Sequence, residues 1–303
     1  MCAWFVRPHD GVVGGHQHPV RLFGVANTDF GARQPPTHKA SGRPIRQRRP
    51  GLVERGGQYS SLGHPGQEAV NEPGAALPDR PATSFVGGRL SGTKVGVGYA
   101  EQADWMLVTA DNAVVVVSPT ADGVRMVRTP TSNGSDEYVM TMDGVAVADC
   151  DILADVAAHR VNQLALAVMG AYADGLVAGA LRLTADYVAN RKQFGKPLST
   201  FQTVAAQLAE VYIASRTIDL VAKSVIWRLA EDLDAGDDLG VLGYWVTSQA
   251  PPAMQICHHL HGGMGMDVTY PMHRYYSTIK DLTRLLGGPS HRLELLGARC
   301  SLT

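Results

Sequence analysis

Two short passages hold the residue types that could do chemistry. The first is Asn190-Arg-Lys-Gln-Phe-Gly-Lys-Pro-Leu198, followed by Phe201-Gln202. The second is His259-Leu-His-Gly-Gly-Met-Gly-Met266, followed by Tyr270-Pro271. Arg191 offers a fixed, planar fork of donors that suits anionic oxygens. Gly262 and Gly263 let backbone donors approach a ligand where a Cβ would clash. Each also has a plain structural reading. A cation at the end of a helix favours the helix dipole, and Gly-Gly after a helix is a common C-cap. His258, His259 and His261 stand beside Cys257 and could be read as metal ligands. The sequence offers no evident fourth ligand, so no metal site is expected.

The elements that must position these residues are helical. From about His159 the apolar period is that of helices. A first long stretch runs to Asn190, with Leu164, Ala167, Val168, Ala171, Gly175 and Ala178 on one face. A second runs from Phe201 to Asp232, with Val204, Leu208, Val211, Ser215, Ile218 and Ala222 on one face. Between them lies Gly195-Lys-Pro-Leu-Ser-Thr200, with Thr200 placed to cap the second helix. A third stretch covers about Asp238 to His261, where Pro251-Pro252 remove backbone donors and predict a kink or break. Shorter helices should follow Pro271 and cover roughly 290–299. Long helices with short connections imply an antiparallel bundle.

Ahead of the helices, residues 85–153 read as short strands between turns. The candidates are Trp105–Thr109, Ala113–Val117, Val124–Val127 and Tyr138–Met142, with Asp122-Gly123 and Asp143-Gly144 as turn signals. Their spacing suggests a small antiparallel barrel or sandwich. Residues 1–70 differ: rich in Gly, Pro, Arg and His, they hold no sustained period and read as a disordered or atypical segment. Arg46-Gln-Arg-Arg49 could be an RNA- or phosphate-binding arm, a solvated tail, or part of a frame-shifted stretch ahead of a real domain.

Composition narrows the function classes. The chain has 303 residues, is 45% hydrophobic and carries a net charge of -1, which gives no sign of a nucleic-acid or acidic-membrane partner. Cys2, Cys150, Cys257 and Cys300 are scattered, which argues against a disulfide framework and fits a reducing cytoplasm. Neither a membrane span nor a signal peptide is evident.

The two passages, at their mutual separation, resemble the acyl-CoA dehydrogenase family. That family carries Arg-x-x-Phe-Gly-x-Pro-Leu then Phe-Gln, and Gln-x-x-Gly-Gly-x-Gly then Tyr-Pro. Glu72-Pro-Gly74 and Ser91-Gly-Thr-Lys94 are weaker matches upstream, so the resemblance covers roughly residues 71–303. It implies an α+β architecture: a small antiparallel β-barrel middle domain over 71–156, then an antiparallel helical bundle over 157–303. It implies FAD as cofactor, which does the redox work while the protein holds it in place. By this resemblance Arg191, Gln193, Phe194, Gln202, His259, Gly262 and Gly263 serve the flavin bound mainly by a neighbouring subunit. His259 stands where the family usually has Gln.

The departures from the family concern catalysis. The position of the family's catalytic glutamate is Leu286, which cannot accept a proton. The alternative position used in some branches falls near Leu164 and Ala165, also inert. Asp281 and Glu294 are the nearest carboxylates, each at least a helical turn away. The family's Lys-x-Trp-Ile-Thr reads Lys94-Val-Gly-Val-Gly98, so Gly96 and Gly98 offer no side chain to a flavin ring. The family's N-terminal helical domain has no counterpart in residues 1–70. The implied function is a non-catalytic subunit of a heterotetrameric acyl-CoA dehydrogenase, like those that shorten steroid side chains in actinobacteria. A partner subunit would carry the glutamate, and acyl-CoA would bind through the complex. The alternatives are a flavin-free interaction protein derived from the family, or an inactive truncated product.

Overall fold

The computed structural model describes residues 66–153 and 155–300, together with a short antiparallel pair, β1 (Val6–Arg7) and β2 (Arg21–Leu22). The expectations for the N-terminal segment and its Arg46–Arg49 run lie outside the described residues.

Seven strands form the first layer: β3 (Gln67–Ala69), β4 (Ser84–Val86), β5 (Arg89–Gly98), β6 (Met106–Thr109), β7 (Val114–Val117), β8 (Val124–Thr129) and β9 (Glu137–Ala146). They make a three-stranded sheet, β3-β6-β7, and a four-stranded sheet, β4-β5-β9-β8. Leu90, Val97, Met106, Val115 and Met140 fill the shared core. One pairing departs from the expected antiparallel pattern: β3 runs parallel to β6. The chain leaves β3, builds the β4–β5 hairpin in the other sheet, and returns in the original direction, as a parallel pair requires. The longest unforeseen strand is β5. Three glycines and an inward lysine hide its period, and its pairing with β9 shifts register between Lys94 and Val97.

Lys94 is fully buried and is neutralised by Glu72 at 2.7 Å, with Thr109 Oγ1 accepting a second bond at 3.1 Å. Glu72 also accepts from Ala82 N, Thr83 N and Thr83 Oγ1. Burial opposes the charge on Glu72, but these donors outweigh it and hold the carboxyl below its ordinary value. The cluster pins the loop after Glu72 under β5 and so fixes the bulge that carries Gly96.

The second layer is the bundle: α1 (Ala158–Asn190), the tiny hairpin β10 (Lys192–Gln193) and β11 (Lys196–Pro197), α2 (Gln202–Ala230), α3 (Gly236–His261), α4 (Met272–Leu285) and α5 (Gly288–Cys300). By length and composition alone α1 could cross a membrane, but it packs against α2, α3 and α4. Its inward face is only partly the expected one: Ala167 is buried as expected. Leu164, Val168 and Ala171 are half-buried and Ala178 is exposed, whereas Leu166, Ala173, Leu176, Val177 and Ala180 are buried. A helix apolar all round gives periodicity little to choose from. The choice falls to glycine notches: Gly170 receives Leu242 and Gly179 receives Tyr275.

Two further expectations are corrected. Helix α3 continues through Pro251 and Pro252 without a break, held by the buried Ala250, Ala253 and Met254 around them. Thr200 does not cap α2: Phe201 occupies that position with no side-chain bond, and Thr200 Oγ1 donates instead to the Pro197 carbonyl at 2.7 Å. Helix α5 lies on α3 in matched notches, with Arg299, Leu296 and Arg292 set against Gly236, Gly240 and Gly243.

Candidate functional site

The two layers meet at α4. Asp281 accepts from the amides of Ser132 and Asn133 at 3.0 and 2.9 Å, which ties the β8–β9 loop to the helix. Arg284 pairs with Glu137 at 2.6 Å. The side chain of Asn71 donates to the Leu285 carbonyl at 2.9 Å, and Arg292 Nε donates to the Leu286 carbonyl at 2.6 Å. These last two bonds satisfy carbonyls at the C-terminal end of α4 that the helix leaves free. Burial pushes the Arg292 guanidinium down to about 10, partly opposed by Asp79.

Between the layers lies a cleft of about 210 Å³, lined by Val70, Asn71, Gly96, Gly98, Tyr172 and Leu285 among others. Pockets for cofactors and drug-sized ligands run to about 300–1,000 Å³, so this one is small. Its floor explains why. Gly96 adopts φ 68°, a conformation L side chains avoid, and a Cβ there would collide with Cδ2 of Leu285. Leu285 therefore occupies the space that a side chain at position 96 would need. Leu286 does not reach the cleft: it is 0% exposed and belongs to the helical core. Leu164 is half-buried and Ala165 buried, so neither alternative position supplies a base. Asp281 lines the cleft, but both carboxylate oxygens already accept backbone amides.

The remaining candidate residues face outward at one end of the bundle. Arg191 and Gln193 are exposed on the turn after α1, and Gln202 is exposed at the start of α2. Phe194 sits at the tip of the β10–β11 hairpin, 91% exposed. Both Phe194 and Gly195 have positive φ, 52° and 79°, the geometry of a type I′ hairpin turn. That conformation is strained for Phe, and the ring gains only an edge contact to Phe201, 6.2 Å between centroids. Gly262 and Gly263 are exposed in a 3₁₀ turn after α3, with open space where a Cβ would stand on either. His259 is exposed and lines a groove of about 710 Å³ between α3 and α4, with Gln255, His258, Met266, His273 and Arg274. No cluster of three metal-ligating side chains exists among the described residues.

One side chain links the two passages. His261, the last residue of α3, stacks on Tyr187 near the end of α1, 4.5 Å between centroids. The sequence marked His261 only as a member of a histidine run. Leu285 carried no signal at all, because only its neighbour Leu286 falls at a family motif position.

Helical bundle, two-sheet layer and outward motifs together define a class. Residues 154–301 match the acyl-CoA dehydrogenase C-terminal domain, and the chain belongs to the acyl-CoA dehydrogenase family. Acyl-CoA dehydrogenase FadE27 of Mycobacterium tuberculosis is 30% identical over 238 residues, covering 72% of this chain. The chain spans 62% of the length of FadE27. The ChsE4-ChsE5 complex from Mycobacterium tuberculosis contains a similar chain, with TM-score 0.71 and 27% identity over 78% of this chain and 66% of that one. The Tcur3481-Tcur3483 steroid ACAD, solved as a G363A variant, gives TM-score 0.70 and 31% identity over 78% and 68%.

Proposed function

We propose that this chain is a non-catalytic subunit of a flavin-dependent acyl-CoA dehydrogenase, completing a partner's FAD site and running none of its own. The observation that carries this reading is the seating of Leu285 against Gly96. The space beside position 96, which we read as the chain's own ring position, is filled by Leu285, while Arg191, Phe194, Gly262 and Gly263 stay open to a second subunit. Two similar solved structures are themselves two-component complexes, which supports a heteromeric assembly. The steroid acyl-CoA dehydrogenase among them supports a steroid-derived acyl-CoA as substrate.

The outward residues fit an FAD diphosphate. Arg191 supplies a forked pair of charge-assisted donors, and the Gly262–Gly263 backbone supplies amides at a close approach. His259 provides a ring donor where the family has an amide. Phe194, already held out from the hairpin, covers the apolar side of the site and excludes water. Gln193 and Gln202 add neutral donors around the same cofactor. The chemistry a bound FAD supplies is acceptance of a hydride from the β-carbon of the acyl thioester. Removal of the α-proton falls to a carboxylate of the partner, since position 286 carries Leu. Loss of a positioned base costs about 10²–10⁴ in rate, so this chain should not turn over alone.

The test is co-expression with an acyl-CoA dehydrogenase that keeps its glutamate. The expected product is a stoichiometric complex with one FAD per pair of unlike subunits, and Arg191→Ala should release that flavin. A complex whose flavin is untouched by Arg191→Ala would instead favour a flavin-free interaction protein.

A further inference from the structure

His261 occupies an unusual place for an imidazole. It is 2% exposed, directly ahead of Gly262, and its Nδ1 donates to the Cys257 carbonyl at 2.7 Å. A carbonyl can only accept, so the ring carries its proton on Nδ1 and a bare lone pair on Nε2. Nε2 is buried and has no hydrogen-bond partner. One ring face stacks on Tyr187 with a 26° interplanar angle. The Tyr187 carbonyl in turn accepts from the Arg191 amide at 2.8 Å. Tyr270 packs on His261 as well, 5.2 Å between centroids, just before α4. One buried ring thus touches the chain leading to Arg191, the chain leading to Gly262, and the Tyr270-Pro271 corner.

We propose that His261 is a positioning residue that holds the Arg191 hairpin and the Gly262–Gly263 turn in one fixed relation, and does so only as the neutral imidazole. This rests on the reading that the hairpin and the turn share a partner's flavin. A second proton would fall on Nε2, where it would meet no acceptor. The titratable groups around the ring are Tyr187 from α1, Cys257 and His258 from α3, and Tyr270 before α4. None of these is a carboxylate that could offset a charge. Burial lowers the value for His261 below 6.5, the Cys257 carbonyl opposes this, and His258 adds to it. The folded form therefore prefers the neutral ring. Its contribution is present above the unfolded value near 6.5 and is lost as pH falls below it. Desolvation and then Tyr187 raise the half-buried Tyr270 phenol above its ordinary value, so it supplies no negative charge near neutral pH.

The test compares wild type with His261→Phe, which keeps the stack without titrating, and His261→Gln, which keeps a donor for the Cys257 carbonyl. In the co-expressed complex, wild type should retain FAD in alkaline buffer and lose most of it on mild acidification. His261→Phe should retain FAD in both. Equal acid loss in wild type and both variants would overturn the proposal. A second readout needs no flavin. In the isolated chain, amide exchange over residues 187–197 and 262–266, corrected for intrinsic rates, should rise together on acidification in wild type and not in His261→Phe. Independent behaviour of the two segments would overturn the proposal whatever the flavin does. A complex that holds no FAD at alkaline pH, with the two segments still coupled, would overturn the flavin reading and leave the role of His261 standing.

Discussion

Replacing Glu72 with Leu and replacing Lys94 with Met both break one buried ion pair, yet their costs should differ. Glu72 accepts from Lys94 Nζ at 2.7 Å, Ala82 N at 2.6 Å, Thr83 N at 2.9 Å and Thr83 Oγ1 at 2.6 Å. Lys94→Met leaves the carboxylate with its three other donors. Glu72→Leu leaves a buried ammonium with only Thr109 and orphans three neutral donors. Breaking one side of a buried pair costs about 3–5 kcal/mol. Each buried neutral donor left unsatisfied adds about 1–3 kcal/mol. We therefore expect about 3 kcal/mol for Lys94→Met and more than about 5 for Glu72→Leu. With a urea slope of about 1–3 kcal/mol per molar, the two midpoints should separate by roughly 1 M or more. Urea unfolding followed by circular dichroism measures this directly. A pH arm sharpens it. The Glu72 carboxyl is held below its ordinary 4.5, so its contribution is present above that value and lost as pH falls through the lowered one. Glu72→Leu should remove that part of the acid slope. Equal costs, or a larger cost for Lys94→Met, would refute the account of four donors converging on one carboxylate.

Two other substitutions test how the bundle presents the site. Gly170→Ala should lower the melting temperature of the chain. Its Cβ would meet Cδ2 and Cγ of the fully buried Leu242, and overpacking costs of about 1–3 kcal/mol exceed the gain of roughly 1 kcal/mol in helix propensity. Phe194→Gly should have opposite effects on the isolated chain and on the complex. It relieves the positive φ of an exposed residue, stabilising the isolated chain by about 1 kcal/mol in a urea titration, while FAD retention in the co-expressed complex falls. Unchanged retention would remove Phe194 from the shared site.

How much of this was legible in the sequence depended on whether local chemistry or distant packing fixed each feature. The helix limits were legible: Asn190 ends α1 and Pro271 precedes α4 because apolar periods and breakers are local signals. The face of α1 was not, because Leu242 and Tyr275 choose it by filling Gly170 and Gly179 from other helices. The same division runs through the site. The expectation of a missing base at Leu286 could be read from the sequence, since a proton acceptor is a property of one residue. The seating of Leu285 against Gly96 is a property of two. Gly96 and Leu285 lie in different layers, and only the bulge in β5, pinned by Lys94 and Glu72, brings them together. A large residue at 96 would need both a different backbone conformation and a different side chain at 285. Placing a glutamate at 286 alone would therefore bury a carboxylate in the helical core and leave Leu285 seated against Gly96. Under the proposed function, the packing itself stands in the way of an independent flavin site, and removing that obstacle requires changing positions 96, 285 and 286 together.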